Sequence, residues 1–599
     1  MFPPPRGRRP RRVQPTHGTA RTPKRLLVST SSIAVATLAS RITGFAKQVL
    51  LLTVLGVQIA SPFTVAVQIP TMVSELLLGA VLTAIVVPVL VRAEREDADD
   101  GAAFVRRLFT AALLILGVGV VATTLAAPYL VRHVLLPPDG EVDVALATAL
   151  AYLALPSILL YGVAALFTAI LNTREDFAPG AWAPVANNLV VLAVLATYVL
   201  APGEISLDPV RMGDTKLLIL GVGSTLGAAA QLVTVALAVR RRRIDLRPLR
   251  GVDDRLRQFA GMACAIVVYV LIGQVGLIVT NHISAAHDVG GPAIYANAWA
   301  LLQLPYGVLG VTILTAIMPR LSRHAASGDA NDVIGDLSTT MRLTLMSLVP
   351  VAGFLTVAGP QIGEALFGYG NFRDDAERLG DAVRWSAFTL VPYSLVLVHL
   401  RVFYARGQAW MPTWIVLGIT AVKIGCAVVV PLVAAAPDLV VPMLGAANGI
   451  GYAVGAIVGW VLLTRSMGAM TLDGVRRTMG VAVGATLAGA SVNLLADAAI
   501  GRVALPDAFE RWDAPLHVVA DGLVFAVVTA SLMYAAGLPE LRMIRDVVRR
   551  SRPGSPEMRD TEAAPTAVLS LDEIRSLAAL DRARWIASSE TPLPRRHPP

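Results

Sequence analysis

The stretch from Leu26 to Ile59 constrains the fold more than any other part of the sequence, because it is almost wholly apolar over 34 residues. A helix needs about 20 apolar residues to cross a bilayer, so this stretch can span a membrane with a tilt or a bend. It nevertheless contains two cations, Arg41 and Lys47. A charge at that depth costs roughly 3 kcal/mol and normally faces a bundle interior or a wet cavity. The stretch therefore predicts a membrane helix with an anion site. The alternative is that the cations snorkel or are paired for structural reasons.

The composition extends this interpretation to the whole chain of 599 residues, which is 55% hydrophobic and only 16% charged. A soluble protein of ordinary composition carries about 25% charged residues. The two cysteines, Cys264 and Cys426, both fall in apolar runs, so the sequence offers neither a disulfide framework nor a CxxC metal motif.

The apolar runs predict an all-α polytopic membrane protein with 14 transmembrane helices. Of the 51 Lys and Arg residues, 40 fall in the segments on one side of these helices and seven in those on the other. Such a bias predicts that the basic side, which includes both termini, is cytoplasmic. The net charge of +9 thus reflects membrane topology rather than nucleic-acid binding. The predicted helices cover residues 29–57, 61–91, 104–128, 144–171, 180–200, 216–239, 258–284, 292–318, 339–359, 380–404, 411–433, 442–464, 478–500 and 517–537.

Three short motifs recur in the same order and indicate an internal duplication. Six predicted helices separate the copies, so both copies have the same orientation in the membrane. Parallel repeats of this kind place a substrate site between the two halves, near the middle of the membrane. The pairs are Leu-Thr-Ala-Ile at 82–85 and 314–317, Arg174 with Pro179 and Arg406 with Pro412, and Gly223 with Gly227 and Gly451 with Gly455.

The duplication predicts two six-helix lobes followed by two further helices. We name residues 29–239 the N-lobe and residues 258–464 the C-lobe. The basic loop 240–257 joins them and has the character of a hinge. The remaining segments are a disordered basic cytoplasmic arm (1–28), helices 13 and 14 (478–537) and a cytoplasmic tail (538–599).

Few ionisable or amide residues lie inside the predicted spans, and these are the candidates for lining a cavity. Arg41 and Lys47 are predicted to bind the anion, and Glu75 is a candidate counter-ion for either of them. Lys423 in the second lobe is either a separate cation or a lipid-facing side chain that snorkels. Four amides are predicted to contribute to a cavity: Gln48, Gln68, Asn297 and Gln303.

Three residues are predicted to permit a bend near these polar groups. Gly44 lies between the two cations of the first helix and has no side chain to oppose a bend or a close helix contact. Pro70 and Pro305 each remove one backbone hydrogen bond from the middle of a predicted span.

Enzyme signatures are absent from the sequence. It contains no GxxxxGK[ST] phosphate loop, no HExxH or GxSxG motif, and no Cys/His ligand cluster. No metal site or cofactor is predicted, and no residue pattern identifies a coupling ion. A cation site inside a two-lobed bundle without an ATP motor favours a secondary transporter of an anion or an amphiphilic anion.

Four motifs, in helices 1, 2, 4–5 and 8, resemble the MurJ (MviN) lipid II flippase family of the multidrug/oligosaccharidyl-lipid/polysaccharide exporter superfamily. The resemblance runs in order from about residue 29 to about residue 465. The motifs are SRITGFAK (40–47), AVQIPTMVSELLLGAVLTAIVVPVL (66–90), LYGVAALFTAILNTREDFAPGAWAPVANNLV (160–190) and LPYGVLGVTILTAIMPRLSR (304–323).

The resemblance implies 14 helices in two lobes around a central cavity. It also implies alternating access that carries the lipid-linked peptidoglycan precursor from the inner to the outer leaflet of a bacterial plasma membrane. Cavity arginines of the family hold the precursor's diphosphate, and helices 13 and 14 are similar to the pair that forms a groove for its lipid tail. Arg41 matches the first of these arginines, and Lys47 stands where a second is usual.

This chain departs from the family pattern in having a less cationic cavity. Ser74 and Glu75 stand where many relatives carry arginines, and the helix-8 arginine has no counterpart. One interpretation is that other groups, such as Gln303 and Asn297, bind the substrate in place of the missing arginines. The other is a paralogue with an altered substrate or without transport. The well-kept N-lobe motifs favour the first interpretation.

Two other functions remain open at this stage. One is transport of another kind, either of a different polyprenyl-linked glycan or by drug/cation antiport, for which Glu75 is the only acidic candidate. The other is a non-transporting membrane scaffold for wall synthesis. The expected partners are the lipid-linked precursor and membrane lipids, with no nucleic acid. A cytoplasmic cell-wall regulatory protein is a further candidate, through an amphipathic helix at 570–587 in the tail, although a solvated tail is the alternative.

Overall fold

The computed structural model describes residues 23–76, 87–251, 260–327, 330–408, 410–468, 473–500 and 513–540. Within these ranges the chain is helical and has no strand beyond one isolated bridge, between Leu207 and Val210. The all-α fold class is therefore confirmed. The α-helices are α1 (Pro23–Ser74), α2 (Val87–Glu96), α3 (Ala102–Tyr129), α4 (Val144–Ala154), α5 (Ser157–Thr173), α6 (Ala178–Leu200), α7 (Thr215–Arg241), α8 (Ala260–His287), α9 (Gly291–Pro305), α10 (Val311–Ser327), α11 (Ala330–Val357), α12 (Gly359–Phe367), α13 (Ala376–Ser386), α14 (Leu390–Ala405), α15 (Trp410–Val433), α16 (Val440–Met467), α17 (Asp473–Ile500) and α18 (Asp513–Ala535).

These helices all belong to one compact unit, Met1–Ala536, and Gly537–Pro599 forms a second. The structure describes only residues 537–540 of the second unit. Its first residue, Gly537, has a positive φ of 66°. The predicted tail helix at 570–587 and the basic arm before residue 23 lie outside the described residues.

Twelve helices of the described ranges are long and apolar enough to cross a membrane. The pair α4 and α5, bent by 41° at Pro156, makes a thirteenth if it is one span. Helix α1 is two helices joined at Gly56, where φ is 65° and ψ is 172°. The break lies at the predicted boundary between helices 1 and 2, so the structure is consistent with 14 spans.

Large apolar side chains cover the outside of this bundle. Leu125, Leu200 and Leu432 are each at least 80% exposed, and each lies on a long apolar helix. A soluble monomer rarely exposes a wide apolar surface, whereas lipid tails solvate one without cost. The chain is therefore a multi-pass membrane protein.

The two predicted copies of the repeat share their backbone turns. Arg174 caps the C-terminus of helix α5 and Arg406 that of helix α14, with φ near −90° in both. The residue after each is left-handed, with φ of 57° at Glu175 and 70° at Gly407. The two turns therefore have the same backbone form at positions that the predicted repeat makes equivalent.

The repeated glycines also have the same role in both copies, because each one brings two successive helices together. A Cβ at Gly227 would lie 2.7 Å from Val191 Cγ2 of the preceding span, and one at Gly455 would collide with Ile419. Only a residue without a side chain permits such a close approach. The motif therefore marks the packing of α6 on α7 and of α15 on α16.

The described part of the loop 240–257 lies against the N-lobe. Arg242 pairs with Asp176 at 2.7 Å, and Arg106 Nε donates to the Arg247 carbonyl at 2.9 Å. The backbone N–H of Leu249 donates to Thr110 Oγ1 at 2.9 Å. Residues up to Leu249 are therefore fixed to one lobe. A hinge in this loop would have to use residues 252–259, which lie outside the described ranges.

Only one of the three predicted bend positions coincides with a break in the backbone. Helix α1 breaks at Gly56 and keeps helical φ/ψ at Gly44 and Pro70, so neither residue marks a break in the backbone. Pro305 ends α9 and is followed by a π-helical segment, Tyr306–Gly310. The next residue, Val311, donates its backbone N–H to the carbonyl of Tyr306, five residues back.

Candidate substrate cavity

A cavity of about 420 Å³, named here the first cavity, lies between α1 of the N-lobe and α9 with its π-segment in the C-lobe. It is bordered by residues of both predicted lobes, which is where the repeat in the sequence would place a substrate site. The residues predicted for the site that line it are Arg41, Gly44, Lys47, Gln48, Asn297 and Gln303.

Arg41 connects the two lobes across this cavity. Its Nη2 donates a hydrogen bond to the carbonyl oxygen of Gly307 at 3.2 Å. That carbonyl is available because the N–H of Val311 bonds to Tyr306 rather than to Gly307, as the π-helical register requires. The break after Pro305 thus exposes a backbone acceptor at the position that the guanidinium reaches. A Cβ at Gly307 would collide with the guanidinium itself.

Asn188 of α6 fixes the segment of α1 that carries Arg41. Its side-chain amide donates to the carbonyl of Ser40 and to Thr43 Oγ1, both at 3.2 Å. A Cβ at Gly44 would lie 3.3 Å from the same amide nitrogen. Gly44 therefore allows a close contact between helices in this structure, which was the second role predicted for it.

Lys47 is partly buried and lines both the first cavity and a third cavity of about 280 Å³, which lies between N-lobe helices and α9. Asn297 and Gln48 border the same two cavities, and the Oδ1 atom of Asn297 is buried without a hydrogen-bond partner. Among the described residues, neither Lys47 nor Arg41 has a carboxylate within 4 Å. The first cavity thus presents two cations and three amides to a ligand.

Glu75 does not pair with either cation, so its interpretation as their counter-ion is wrong for this structure. It lines a second cavity in the C-lobe and accepts a hydrogen bond from Gln274 Nε2 at 2.7 Å. The reason is its place on the chain: it lies some 28 residues beyond Lys47, past the kink at Gly56, where the chain runs back through the membrane beside α8.

Gln68 also lies away from the first cavity. It is buried and accepts a hydrogen bond from Asn281 of α8. This contact ties the second half of α1 to the first helix of the C-lobe. Gln68 therefore does not border the three cavities described here, and its contact is a hydrogen bond between the predicted lobes.

The two lobes meet closely at the end of the bundle that the charge bias assigns to the outside, called the outer end below. Gly370 has φ of 59°, and a Cβ on it would collide with the carbonyl of Thr53. The neighbouring Asn371 donates to the carbonyl of Val54 at 2.7 Å. Near these contacts, the N–H of Glu141 donates to the carbonyl of Ala285 at 3.0 Å. In this conformation the outer end is closed.

Aromatic residues complete the wall of the first cavity, and the sequence reasoning missed them. Phe45, Tyr306, Phe367 and Tyr393 all line it. Charged and amide groups stand out in a membrane span because they are costly there, whereas aromatic residues in apolar helices carry no such signal. Only the position of Tyr306, directly after Pro305, could have indicated that it borders a break.

A family model described as lipid II flippase MurJ matches residues 51–502, three quarters of the chain. The chain is 26% identical over 555 residues to a probable lipid II flippase MurJ of Rhizobium meliloti, covering 89% of this chain and 98% of that protein. It is also 26% identical over 406 residues to the lipid II flippase MurJ of Burkholderia cenocepacia, covering 66% of this chain and 77% of that protein.

Two solved structures share the fold. A lipid II flippase MurJ in an inward closed conformation superimposes with a TM-score of 0.66 at 16% identity, covering 84% of this chain and 98% of that one. An inward-facing multidrug resistance MATE family transporter of the MOP superfamily superimposes with a TM-score of 0.54 at 15% identity, covering 73% and 95%.

Proposed function

The chain belongs to the family of the lipid II flippase MurJ, and from this premise we propose that it moves lipid II from the cytoplasmic to the outer leaflet by alternating access. The activity is transport rather than catalysis, and it serves peptidoglycan synthesis. The observation that carries the proposal for the site is the first cavity: two cations face it between the lobes, without a carboxylate beside them in the described residues.

Arg41 and Lys47 hold the diphosphate of the precursor in this proposal. A guanidinium matches phosphate oxygens with two parallel hydrogen bonds, and an ammonium adds a compact charge without that fork. The amides of Gln48, Asn297 and Gln303 lie on the same cavity wall and can donate further hydrogen bonds. Together they replace part of the hydration that the diphosphate loses when it leaves water.

Binding of the diphosphate would also loosen the contact between the lobes. Arg41 now donates to the carbonyl of Gly307, a neutral acceptor in the other lobe. Hydrogen bonds to charged acceptors are roughly twice as strong as those to neutral ones. An anion in the cavity therefore competes for the guanidinium and removes one of the bonds that hold the lobes in this conformation. Opening then requires separation of the contacts of Gly370 and Asn371 at the outer end.

The acidic residue that drug/cation antiport would need is Glu75, and it lies outside the first cavity, bonded to Gln274. The arrangement of charges in the first cavity favours an anionic substrate.

The test is complementation of a bacterium depleted of its own flippase, with the accessibility of lipid II at the outer leaflet as the readout. The wild-type chain should rescue growth and restore accessible lipid II. Arg41→Ala should fail, and Arg41→Lys should rescue partly, because it keeps the charge but loses the fork. Arg211→Ala is the matched control, since it removes an exposed arginine from a loop at the outer end. All variants are compared at equal abundance in the membrane.

Two outcomes would separate the parts of this proposal. Failure of the wild-type chain to restore accessible lipid II would contradict the function. Rescue by both the wild type and Arg41→Ala would leave the function in place and remove Arg41 from the site.

We further propose that the protein lies in the bacterial plasma membrane with both termini in the cytoplasm, as the bias of Lys and Arg predicts. A cysteine at residue 20 should then react with a permeant thiol reagent but not with an impermeant one in intact cells.

The tail beyond residue 540 would bind a cytoplasmic protein of wall synthesis. Truncation there should abolish co-purification of that protein while transport continues.

A further inference from the structure

A second cavity, of about 360 Å³, lies in the C-lobe and has no role in the function proposed above. It is bordered by α8, α9, α14, α15 and α16, and by Glu75 at the end of the first long helix. Its size is at the lower end of the range of about 300–1,000 Å³ that ligand sites occupy. One of its lining residues is a cation, Lys423, from the middle of α15.

The side chain of Lys423 lines this cavity and does not point towards lipid. It lies near the middle of α15, and the structure provides room for its stem with two glycines. A Cβ at Gly276 would lie 3.7 Å from Lys423 Cδ, and one at Gly451 would lie 3.2 Å from Lys423 Cβ. The ammonium lies over the ring of Tyr295, 5.8 Å from its centre. The alternative of a lipid-facing, snorkelling lysine is therefore wrong.

The charge of Lys423 is compensated only in part. A cation over an aromatic ring gains about 0.5–2 kcal/mol, which is small against the cost of a charge at membrane depth. Glu75 lines the same cavity, but its carboxylate accepts from Gln274 and no ion pair within 4 Å joins it to Lys423. Within the described residues, the ammonium thus has no anionic partner.

Aromatic side chains line the second cavity among aliphatic ones, and one of them, Tyr393, also lines the first cavity. The rings of Trp299 and Tyr452 are nearly parallel, at 7° and with centres 6.1 Å apart. Tyr393 packs edge-on against both and also against Tyr306, at 4.9–5.3 Å between centres. Tyr393 borders both cavities, so the two are neighbours that share this ring as a wall.

The second cavity also has buried amide groups on its wall, one of which has an unsatisfied oxygen. The Oε1 atom of Gln274 is buried without a hydrogen bond, and Asn448 is 5% exposed on the cavity wall. An ammonium, a carboxylate, two amides and broad ring faces together suit a ligand that is carboxylate-bearing and otherwise rich in hydroxyl and amide groups.

We propose that the second cavity binds part of the glycan-peptide headgroup of the substrate, and that Lys423 binds a carboxylate of its peptide. This inference rests on the proposed function, since it assigns the diphosphate to the first cavity and the group attached to it to the second. The cavity holds about one sugar or a few peptide units rather than the whole headgroup. The remainder would extend into the wet space between the lobes.

The test compares two ligands on purified protein in lipid nanodiscs. One is lipid II, and the other is a polyprenyl diphosphate that lacks the glycan and peptide. Lys423→Met, which keeps the stem and removes the charge, should bind lipid II about tenfold more weakly, as the loss of one charge-assisted hydrogen bond predicts. Its affinity for polyprenyl diphosphate should be unchanged. Lys423→Arg should stay close to the wild type for both ligands.

Lys216→Met is the matched control. Lys216 also lies over an aromatic ring, that of Tyr198 at 4.9 Å, but at the outer end of the bundle and outside both cavities. Its replacement should change neither affinity. A second arm uses only the wild-type chain, so that it does not depend on the folding of a variant. Lipid II whose peptide carboxylates are converted to amides should bind about tenfold more weakly than unmodified lipid II.

The outcomes distinguish this inference from the proposed function. Equal binding of amidated and unmodified lipid II, or equal weakening of both ligands by Lys423→Met, would overturn the assignment of Lys423. Arg41→Ala should weaken both ligands, because both carry the diphosphate. If Arg41→Ala changed the affinity for neither ligand, the assignment of the diphosphate to Arg41 would be wrong. The two tests of Lys423 would still be decided by their own results.

Discussion

The contact between the lobes at the outer end should be sensitive to a single added methyl group, in the variant Gly370→Ala. This residue has φ of 59°, where a side chain is strained, and a Cβ on it would collide with the carbonyl of Thr53 in the other lobe. We expect Gly370→Ala to shift the protein towards a conformation in which the lobes are separated at this end.

The free energy that the closed conformation loses can be estimated by comparison with Gly407, where an added methyl group strains the backbone but contacts no other group. Gly407 has φ of 70°, and a Cβ on it would contact nothing within 4 Å. A left-handed residue with a side chain costs about 1–2 kcal/mol at either position. At Gly370 the collision also separates Asn371 from the carbonyl of Val54, now 2.7 Å away, at about 1 kcal/mol. The closed conformation should therefore lose about 1 kcal/mol more in Gly370→Ala than in Gly407→Ala, which changes its population about fivefold.

The assay measures the distance between spin labels placed on the two lobes at the outer end. Cysteines at Leu207 and Leu439, which are 39% and 36% exposed, would carry the labels after Cys264 and Cys426 are replaced by serine. Gly370→Ala should increase the population at long distance, and Gly407→Ala should leave it as in the wild type. Identical distance distributions in the two variants would refute the assignment of this contact as the closure.

Two further predictions concern single contacts. Gly307→Ala places a methyl group where the Arg41 guanidinium lies, so it should weaken lipid II binding about fivefold, whereas Gly425→Ala, with nothing within 4 Å of its added methyl, should not. Asp288→Asn removes the charge of a carboxylate that is 4% exposed and bonded to Arg378 and to the N–H of Gly290; it should lower the free energy of unfolding in detergent by about 2 kcal/mol. Asp438→Asn, at the 72% exposed partner of the same arginine, should change it by less than about 1 kcal/mol. Equal effects of the two aspartate variants would show that burial of Asp288 does not set its contribution.

The sequence by itself determined the class of the protein and the position of its first cavity. Apolar runs long enough to cross a bilayer need no tertiary contact to be recognised. The cost of a buried cation identified Arg41 and Lys47, and both line the cavity between the duplicated halves. A close helix contact was also predicted at Gly44, whose added Cβ would lie 3.3 Å from the amide of Asn188.

The tertiary structure decided which polar groups meet. Glu75 bonds to Gln274, Gln68 bonds to Asn281, and Lys423 faces a cavity rather than lipid. A helix that is apolar on nearly every side does not show in its sequence which face is turned inward. Its rotation and tilt are set by packing against neighbouring helices. The chain alone therefore specifies how deep each polar residue lies, and only the packed bundle specifies which partner it finds at that depth.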